Sequence, residues 1–325
     1  MSRQNQSNKV AFLNARTCGI YKNGGPRFKT DPNTGRRTEQ LDDELNDLVD
    51  TFLARRQHPG ITQIPTDDAW AKRVLVPTYY DHRYEESFEQ LVAQLGWGET
   101  TIGDLVEDGV ITVRGGHGSP GNDQRSGCIP YIKVSDIRAL RVNINPTNLV
   151  GESVARRFWR GTSSGLQAFD LITPNRASSN IGEFAILLPG EEQVVLTKEV
   201  FVLRVSAQAN HVWDPFTLFW ALCLRSVRQQ WRRIALMQTN REDCGSRYLE
   251  VRVPLPPDRK TGLAASQPFR EYFQTIATAK TKFLAAVKAH PERYIASVFS
   301  AVPAVGEAED AADESGGDGG DAAPD

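Results

Sequence analysis

The sequence predicts an α+β fold: a β-rich domain with flanking helices and a C-terminal spacer helix. Between residues 110 and 205, short apolar runs end in loops that contain Gly, Pro, Asn or Ser, which is typical of strands. On both sides of that region, apolar residues recur at helical spacing. The chain has 325 residues, of which 40% are apolar and 24% charged, as in ordinary globular proteins.

The first 100 residues predict a strand and two helices. Lys9–Ala15 is a short, mostly apolar run, and a turn-rich loop follows it. Thr38–Gln57 then predicts a helix, stopped at Pro59. Its apolar face consists of Leu41, Leu45, Leu48 and Phe52. After an irregular connection over Ile61–Tyr80, Glu85–Leu95 predicts a short helix.

The middle of the chain predicts strands and then a helix. The strand candidates are the apolar runs Val110–Val113, Ile129–Val134, Leu171–Ile172, Phe184–Leu188 and Val194–Val205. Asp214 and Pro215 can begin a helix that runs to about Ala235, because Pro suits the first turn.

A final helix is predicted to begin at Ser266–Pro268 and to stop at His290–Pro291. Aromatic and aliphatic residues repeat along it every seven residues, in two seams: Phe269, Ile276 and Phe283, and Tyr272, Ala279 and Ala286. Three heptads are short for an isolated coiled coil. Two alternatives stay open: a helix packed on its own domain, and a spacer helix that packs against a partner helix.

The net charge of −2 conceals an uneven distribution. Residues 301–325 carry eight acids and no Lys or Arg, which predicts a disordered acidic tail. The remaining chain holds 38 basic and 32 acidic residues, a net charge of +6. A positive domain is compatible with phosphate contacts, although charge alone favours an ordinary solvated surface.

Several function classes are excluded by what the sequence lacks. No apolar stretch approaches the length of a membrane span, and the N-terminus has no apolar export segment, so we expect a cytoplasmic protein. The four cysteines are far apart, and no two histidines stand at metal-ligand spacing. Gly116–Gly121 matches a dinucleotide-binding glycine pattern, but Pro120 and Gly121 continue the loop where a helix is required.

Three runs of residues carry a family resemblance. Residues 128–137 read CIPYIKVSDI, residues 169–176 read FDLITPNR, and residues 180–188 read NIGEFAILL. The run YLEVRVPLPP at 248–257 follows at the end of the same region. Together they resemble the target-recognition domain of type I restriction-modification specificity subunits, which also forms the C-terminal part of N-6 adenine DNA methyltransferases.

The N-terminal segment carries a second, weaker resemblance. Residues 12–24, with FLNA and GIYKNG, and LDDEL at 41–45 look like the last part of an N-6 adenine methyltransferase catalytic domain. An unrelated hairpin and helix is an equal alternative. The catalytic motifs of such an enzyme are missing, because the sequence has no Asn/Asp-Pro-Pro-Tyr/Phe run to hold a flipped adenine.

The resemblance implies a division of the chain into five parts. These are a methyltransferase-like tail segment (1–60), a linker with a short helix (61–99), a DNA target-recognition domain (100–260), a spacer or coiled-coil helix (261–300) and the acidic tail (301–325). Type I subunits usually carry two recognition domains, and this chain has one. That difference leaves open a homodimer or the detached C-terminal piece of a split methyltransferase.

The residues that we predict to contact DNA lie mainly in two polar loops. Arg pairs bidentately with guanine, and Asn or Gln with adenine. The loop candidates are Arg114, His117, Ser119, Asn122, Gln124 and Arg125, then Asn175, Arg176, Ser178, Ser179 and Asn180. The phosphate candidates are Lys133, Arg138, Arg241 and Arg247, and the partner-helix candidates are Phe269, Tyr272, Ile276 and Phe283. For each polar residue, an ordinary surface contact is the alternative.

The predicted function is therefore DNA sequence recognition within a restriction-modification or phage-defence complex, without catalysis by this chain. The implied partners are double-stranded DNA, an N-6 adenine methyltransferase subunit that would bind S-adenosylmethionine, and a restriction subunit. No cofactor or metal is expected on this chain. A complete enzyme with an unrecognised site and a sequence-independent DNA-binding protein stay open as alternatives.

Overall fold

The computed structural model describes residues 8–21, 23–145, 147–176, 179–207, 212–238 and 241–289. Their contacts divide the chain into two compact units, here called unit 1 (residues 1–99 and 224–254) and unit 2 (residues 100–223 and 255–325). Helices and strands occur in both, so the α+β class is confirmed. The predicted domain 100–260 does not coincide with either unit, because residues 224–254 contact the N-terminal part of the chain.

The strands in chain order are β1 (Lys9–Leu13), β2 (Phe28–Thr30), β3 (Arg37–Leu41), β4 (Ile61–Pro65), β5 (Gly98–Thr101), β6 (Ile111–Gly115), β7 (Ile129–Ile132), β8 (Ile137–Arg138), β9 (Arg141–Val142), β10 (Leu149–Val150), β11 (Leu171–Pro174), β12 (Ala185–Ile186), β13 (Val195–Leu196), β14 (Val200–Val205), β15 (Leu236–Gln238), β16 (Arg241–Asp243) and β17 (Arg252–Leu255). The helices are α1 (Leu45–Leu53), α2 (Thr66–Lys72), α3 (Glu86–Leu95), α4 (Ile102–Glu107), α5 (Glu152–Trp159), α6 (Pro215–Cys223), α7 (Arg225–Ile234) and α8 (Arg259–Ala289).

Unit 1 contains an antiparallel β1–β4 pair, a β2–β3 hairpin and helices α1, α2, α3 and α7. A buried ion pair stabilises it: the carboxylate of Asp81 accepts hydrogen bonds from Arg83 Nε at 2.8 Å and from Asn14 Nδ2 at 2.7 Å. The other side of the Arg83 guanidinium contacts Glu44, so the buried cation is balanced.

The predicted helix over Thr38–Gln57 is partly wrong. Residues 37–41 form β3 and pair with β2, and the helix begins only at Leu45. Asp43 ends the extended segment, because its Oδ1 accepts the backbone N–H of Leu45 at 2.9 Å. The short helix predicted over Glu85–Leu95 is confirmed as α3, which ends at Gly96 with a left-handed φ of +64°.

Unit 2 is built around a six-stranded sheet in the order β6-β14-β11-β12-β9-β8. A three-stranded sheet, β10-β7-β13, lies in the same unit. The predicted strand Val194–Val205 is interrupted: β13 and β14 belong to different sheets and are joined by Thr197–Glu199. The core packs apolar residues of both sheets, among them Ile132, Ile172, Leu196 and Val202.

The single helix predicted from Asp214 to about Ala235 is two helices. Leu224, between α6 and α7, has an extended backbone with φ −61° and ψ 136°. The helices α6 and α7 differ in character: α6 has six of nine residues buried, whereas α7 has an arginine-rich exposed side. They belong to different units, which the apolar spacing alone does not reveal.

Helix α8 begins seven residues earlier than predicted, at Arg259, and contains Pro268. Asp258 caps it by accepting the backbone N–H of Thr261 at 2.7 Å. The fully buried Ser266 bonds to the Gly262 carbonyl at 2.9 Å and lies 3.1 Å from the Thr217 hydroxyl of α6. These contacts with α6 hold the first turns in spite of the following proline.

Candidate nucleic-acid interface

The sheet of unit 2 brings the two predicted loops to one end. Strand β14 lies between β6 and β11 and is antiparallel to both, so β6 and β11 run in the same direction. Gly115 and Thr173 both pair with Phe201, from opposite sides. The described residues that follow these strands, 116–128 in the first loop and 175, 176 and 179–184 in the second loop, therefore begin at the same end of the sheet.

The first loop is held by backbone hydrogen bonds to the last residue of β13 and the first residue of β14. The amides of His117 and Gly118 donate to the Leu196 carbonyl at 2.9 and 3.0 Å, and Gly116 donates to Val200 at 3.1 Å. A Cβ on Gly116 would come within 1.9 Å of the Thr197 carbonyl oxygen. Only glycine permits this close approach.

His117 is part of the loop's support. Its Nδ1 accepts the backbone N–H of Leu196 at 2.9 Å, so its Nε2 carries the proton and donates to the Ser164 carbonyl at 2.9 Å. Burial lowers the pKa of His117 to about 4, since the charged imidazolium would be poorly solvated there. Both ring nitrogens thus form hydrogen bonds with backbone groups of the protein. The prediction that His117 contacts a base is therefore replaced by a structural role.

The tip of the first loop carries the polar side chains. Asn122 is exposed, and Gln124 Oε1 accepts the backbone N–H of Gly121 at 3.3 Å. The guanidinium of Arg125 lies 5.3 Å from the Tyr131 ring centroid and donates to the Pro120 carbonyl at 3.2 Å. The exposed Ser119 has its Oγ 3.1 Å from the Thr197 hydroxyl. These four predicted residues lie close together in the chain and retain polar groups at the surface.

The second loop divides into exposed and buried members. Its backbone is joined to the same connection, because the Asn175 N–H donates to the Glu199 carbonyl at 3.0 Å, and Arg176 next to it is exposed. Ser178 lies outside the described residues. Asn180 is fully buried: its Nδ2 donates to the carbonyls of Val134 and Ile137, both at 2.9 Å. We therefore assign Asn180 to the fold rather than to DNA.

The predicted phosphate contacts are dispersed. In unit 2, Lys133 Nζ donates to Asn148 at 2.7 Å, and the exposed Arg138 lies 3.8 Å from Glu183. In unit 1, Arg247 donates to the carbonyls of Ile234 at 2.9 Å and Asp243 at 2.7 Å, which makes it a structural residue. Arg241 lies in β16, and its side chain is outside the described set.

Two basic residues near the loops differ from the sequence-based prediction: Arg114 is less accessible to DNA than predicted, and Lys198 is an additional candidate. Arg114 is half-buried in β6, donates to the Ser164 carbonyl at 3.4 Å and has its pKa lowered by burial. Lys198, which the sequence analysis missed, is exposed between β13 and β14, the connection that both loops contact. The polar triplet Thr-Lys-Glu within the apolar run 194–205 was the signal that a turn interrupts the strand.

The predicted partner-helix residues divide between two faces of α8. Phe269 packs on Phe219 of α6 with ring centroids 5.5 Å apart, and Phe273, which was not predicted, packs 5.3 Å from the same ring. Tyr272 and Phe283 are each 55% exposed, and Ile276 is half-buried. Phe269 therefore packs on its own unit and not on a partner helix. The face with Tyr272 and Phe283 is exposed in this chain, and its contact with a partner helix stays a prediction.

The described residues offer neither a metal site nor a membrane-spanning helix. Within the part of the chain that the structure describes, no three His, Cys, Asp or Glu residues are grouped as a metal site would require. In the same residues, no helix combines the length and the apolar character needed to cross a bilayer.

Solved structures that resemble this chain are type I restriction-modification specificity subunits. An S subunit from M. genitalium is 12% identical with a TM-score of 0.36, and the match covers 59% of this chain and 41% of that one. An HsdS subunit from Thermoanaerobacter tengcongensis is 12% identical with a TM-score of 0.35, covering 76% and 58%. A chain from a structural study of type I R-M complex assembly and conformational transition is 13% identical with a TM-score of 0.34, covering 77% and 62%.

This chain spans 41 to 62% of the length of those three proteins. No protein-family model matches it, and no curated protein does.

Proposed function

We propose that this chain recognises a DNA sequence for a separate N-6 adenine methyltransferase and does not itself catalyse methyl transfer. The observation that carries the proposal is the position of the two polar loops, which leave one end of the unit 2 sheet on either side of β14. Glycine allows the first loop to pack closely on the β13–β14 connection, which restricts its movement. Arg and amide side chains on restrained loops suit the reading of base edges.

The contact set that we propose is smaller than the one predicted from sequence. The base-reading candidates are the polar loop residues Ser119, Asn122, Gln124, Arg125, Asn175 and Arg176. Lys133, Arg138 and Lys198 are candidates for phosphate contacts. Each correct bidentate base contact is worth about 1–3 kcal/mol of discrimination, so a few of them suffice to separate one site from random DNA.

The methyltransferase subunit would supply the methyl donor site, and the exposed face of α8 is our candidate for its docking. Tyr272 and Phe283 are on that face and are large apolar side chains open to solvent. A second copy of this chain and a restriction subunit are further candidate partners. By this proposal S-adenosylmethionine binds the partner and no cofactor binds this chain.

The decisive experiment combines sequence selection with a loop variant. Duplexes that bind the purified chain, with its methyltransferase subunit if required, are selected from a random pool. We expect one enriched motif for the natural chain and none for N122A/R125A/N175A/R176A. The control R259A/Q267A/Q274A/K282A removes two cations and two amides from exposed positions on α8, outside both loops, and should retain the motif.

Several outcomes would contradict the proposal. An identical motif and affinity ratio in the loop variant would show that the loops do not read bases. Methyl transfer from a labelled donor by this chain alone would show that it is an enzyme. A chain that binds all duplexes equally would instead be a sequence-independent DNA-binding protein, and a requirement for an enzyme fragment ending where this chain begins would identify a split methyltransferase.

A further inference from the structure

Helix α7 of unit 1, with the sequence RSVRQQWRRI, contains four arginines and no acidic residue. Its inner face is buried and consists of Ser226, Val227, Gln230, Trp231 and Ile234. The Gln230 amide makes two hydrogen bonds of 2.9 Å with the backbone of Arg252, one as donor and one as acceptor. The inner face therefore holds the helix in unit 1, and the arginines on its outer side are exposed to solvent.

One of the four arginines, Arg233, is used inside unit 1. Its guanidinium lies 3.5 Å from Glu85 and 3.6 Å from Glu250, and it donates to the Tyr79 carbonyl at 3.2 Å. It is largely buried, and two carboxylates balance its charge. Arg233 is therefore a structural cation, whereas Arg225, Arg228 and Arg232 are exposed.

The α7 arginine face consists of Arg225, Arg228 and Arg232, which are all exposed. Their spacing of three and then four residues places them on one side of the helix. Like charges at this spacing repel, and Arg225 lies in the first turn, where the helix dipole disfavours a cation. Neither effect favours the helix, so three arginines on this face are not explained by helix propensity.

The sequence around the helix does not offset this charge. Residues 224–254 hold seven arginines, no lysine and three acids, a formal net charge of +4. Arginine is the side chain whose planar guanidinium pairs with a phosphate through two parallel hydrogen bonds. The concentration of arginine on one exposed helix face indicates a polyanion with regularly spaced phosphates.

An open groove of about 470 Å³ adjoins the arginine face, between α3 and α7. Neutral hydrogen-bonding groups and a few apolar side chains line it: Ser87, Gln90, Leu91, Gln94, Leu224, Arg225, Ser226 and Gln229. Among these lining residues of the described chain, none is acidic. Amide and hydroxyl groups of this kind contact phosphate and sugar oxygens in protein–DNA complexes.

We infer that the α7 arginine face and its groove bind the phosphate backbone of duplex DNA without reading its sequence. Arg225 and Arg232 are seven residues apart, about 10 Å along the helix. At about 3.4 Å of duplex axis per nucleotide, that length matches about three successive phosphates of one strand. The inference rests on the proposed function for its ligand and adds to it a surface of unit 1 that supplies affinity, while the loops of unit 2 supply specificity.

The test compares R225Q/R228Q/R232Q with a matched control, K29Q/R36Q/R56Q. The control removes three exposed positive charges elsewhere in unit 1. Affinity of the full chain for a random-sequence duplex is measured over a series of salt concentrations, with thermal unfolding of each variant alongside. Each lost phosphate contact lowers the slope of log affinity against log salt by about 0.9, so we expect a decrease of about 2–3 for the α7 variant.

The slope of the control should differ from that of the natural chain by less than about 0.9, the change expected for one phosphate contact. A natural slope in the α7 variant, or an equal loss in the control, would overturn the inference. So would loss of methyltransferase binding with an unchanged slope, because the face would then contact a protein. As a safeguard against misfolding, Arg225→Gln alone should lower the slope by about one.

This experiment separates the inference from the proposed function. A chain that binds every duplex equally, but loses salt dependence in the α7 variant, refutes sequence recognition and retains the phosphate surface. A chain that keeps its preferred motif, and whose slope is unaltered in the α7 variant, retains sequence recognition and refutes the phosphate surface.

Discussion

The imidazole of His117 accepts the backbone N–H of Leu196 at 2.9 Å, which joins the first polar loop to the end of β13. Its second nitrogen donates to the Ser164 carbonyl, so the neutral ring connects three separate segments of unit 2. This relationship explains why a histidine within a glycine-rich loop is a structural residue. It also makes the loop sensitive to acid.

The first prediction concerns pH. The pKa of His117 is lowered from 6.5 to about 4 by burial, so between these values the unfolded chain binds the extra proton and the folded chain does not. The contribution of the neutral ring is complete above pH 6.5, decreases as the pH falls, and is lost below about pH 4. The difference amounts to about 3 kcal/mol. Urea unfolding at several pH values should show a shallower pH dependence for His117→Asn; an identical dependence in both proteins would refute the assignment.

The second prediction compares two adjacent glycines. A Cβ on Gly116 would lie 1.9 Å from the Thr197 carbonyl oxygen, whereas a Cβ on Gly115 would meet no atom within 4 Å. Gly116→Ala should therefore displace the first loop, at a cost of about 1–3 kcal/mol, and weaken discrimination between DNA sequences. Gly115→Ala is the control and should leave both unchanged. Equal affinity ratios in the two variants would show that the position of the loop is unimportant.

The third prediction compares two asparagines from the predicted site. Asn180 is fully buried and donates to two carbonyls, so Asn180→Ala leaves both without this partner and should lower the free energy of unfolding by roughly 2–4 kcal/mol. Asn122 is exposed, and Asn122→Ala should change stability by less than about 0.5 kcal/mol while altering the selected DNA motif. Chemical denaturation and duplex selection measure the two effects. A stable Asn180→Ala protein would contradict the structural assignment.

The fourth prediction concerns the two faces of α8. Phe273 is 1% exposed and packs on Phe219, so Phe273→Ala should cost about 3–5 kcal/mol. Phe283 is 55% exposed, and Phe283→Ala should leave the isolated chain as stable as before. If this face binds the methyltransferase, the Phe283 and Tyr272 variants should weaken the complex in sedimentation experiments. Undiminished association in the double variant would exclude this face as the docking surface.

The fifth prediction concerns the ion pair of unit 1. Burial raises the pKa of Asp81, but hydrogen bonds from Arg83 and Asn14 outweigh it, so the pKa lies below the ordinary value of 3.8. Its stabilising contribution is present above that value and is lost as the pH falls through the lower one. Arg83→Met leaves the buried carboxylate with Asn14 and the partly exposed Arg16, 3.7 Å away, and should cost about 3 kcal/mol. Adding Asp81→Asn should restore part of the loss; an unchanged melting temperature in Arg83→Met would refute this account.

The short-range patterns of the sequence predicted several elements correctly. The helix α3 follows from the spacing of Phe88 and its neighbours and from Gly96, and the strands of unit 2 follow from apolar runs bounded by turn residues. The positions of both polar loops could be predicted for the same reason, since turn chemistry is local. What the pattern could not show is which polar side chains in those loops point inward.

By itself, the sequence determined the α+β class, the polar loops and the charge asymmetry, because these depend on composition and on neighbours along the chain. Only the tertiary structure decided that Asn180 and His117 are structural, since their partners are backbone groups from segments 43 to 79 residues away. The tertiary structure also decided that α6 and α7 are separate helices, divided at Leu224. Their apolar residues have a continuous helical spacing in the sequence, but the two helices pack in different units. Which polar side chains form internal hydrogen bonds is determined by long-range contacts, and the local spacing of residues does not encode these contacts.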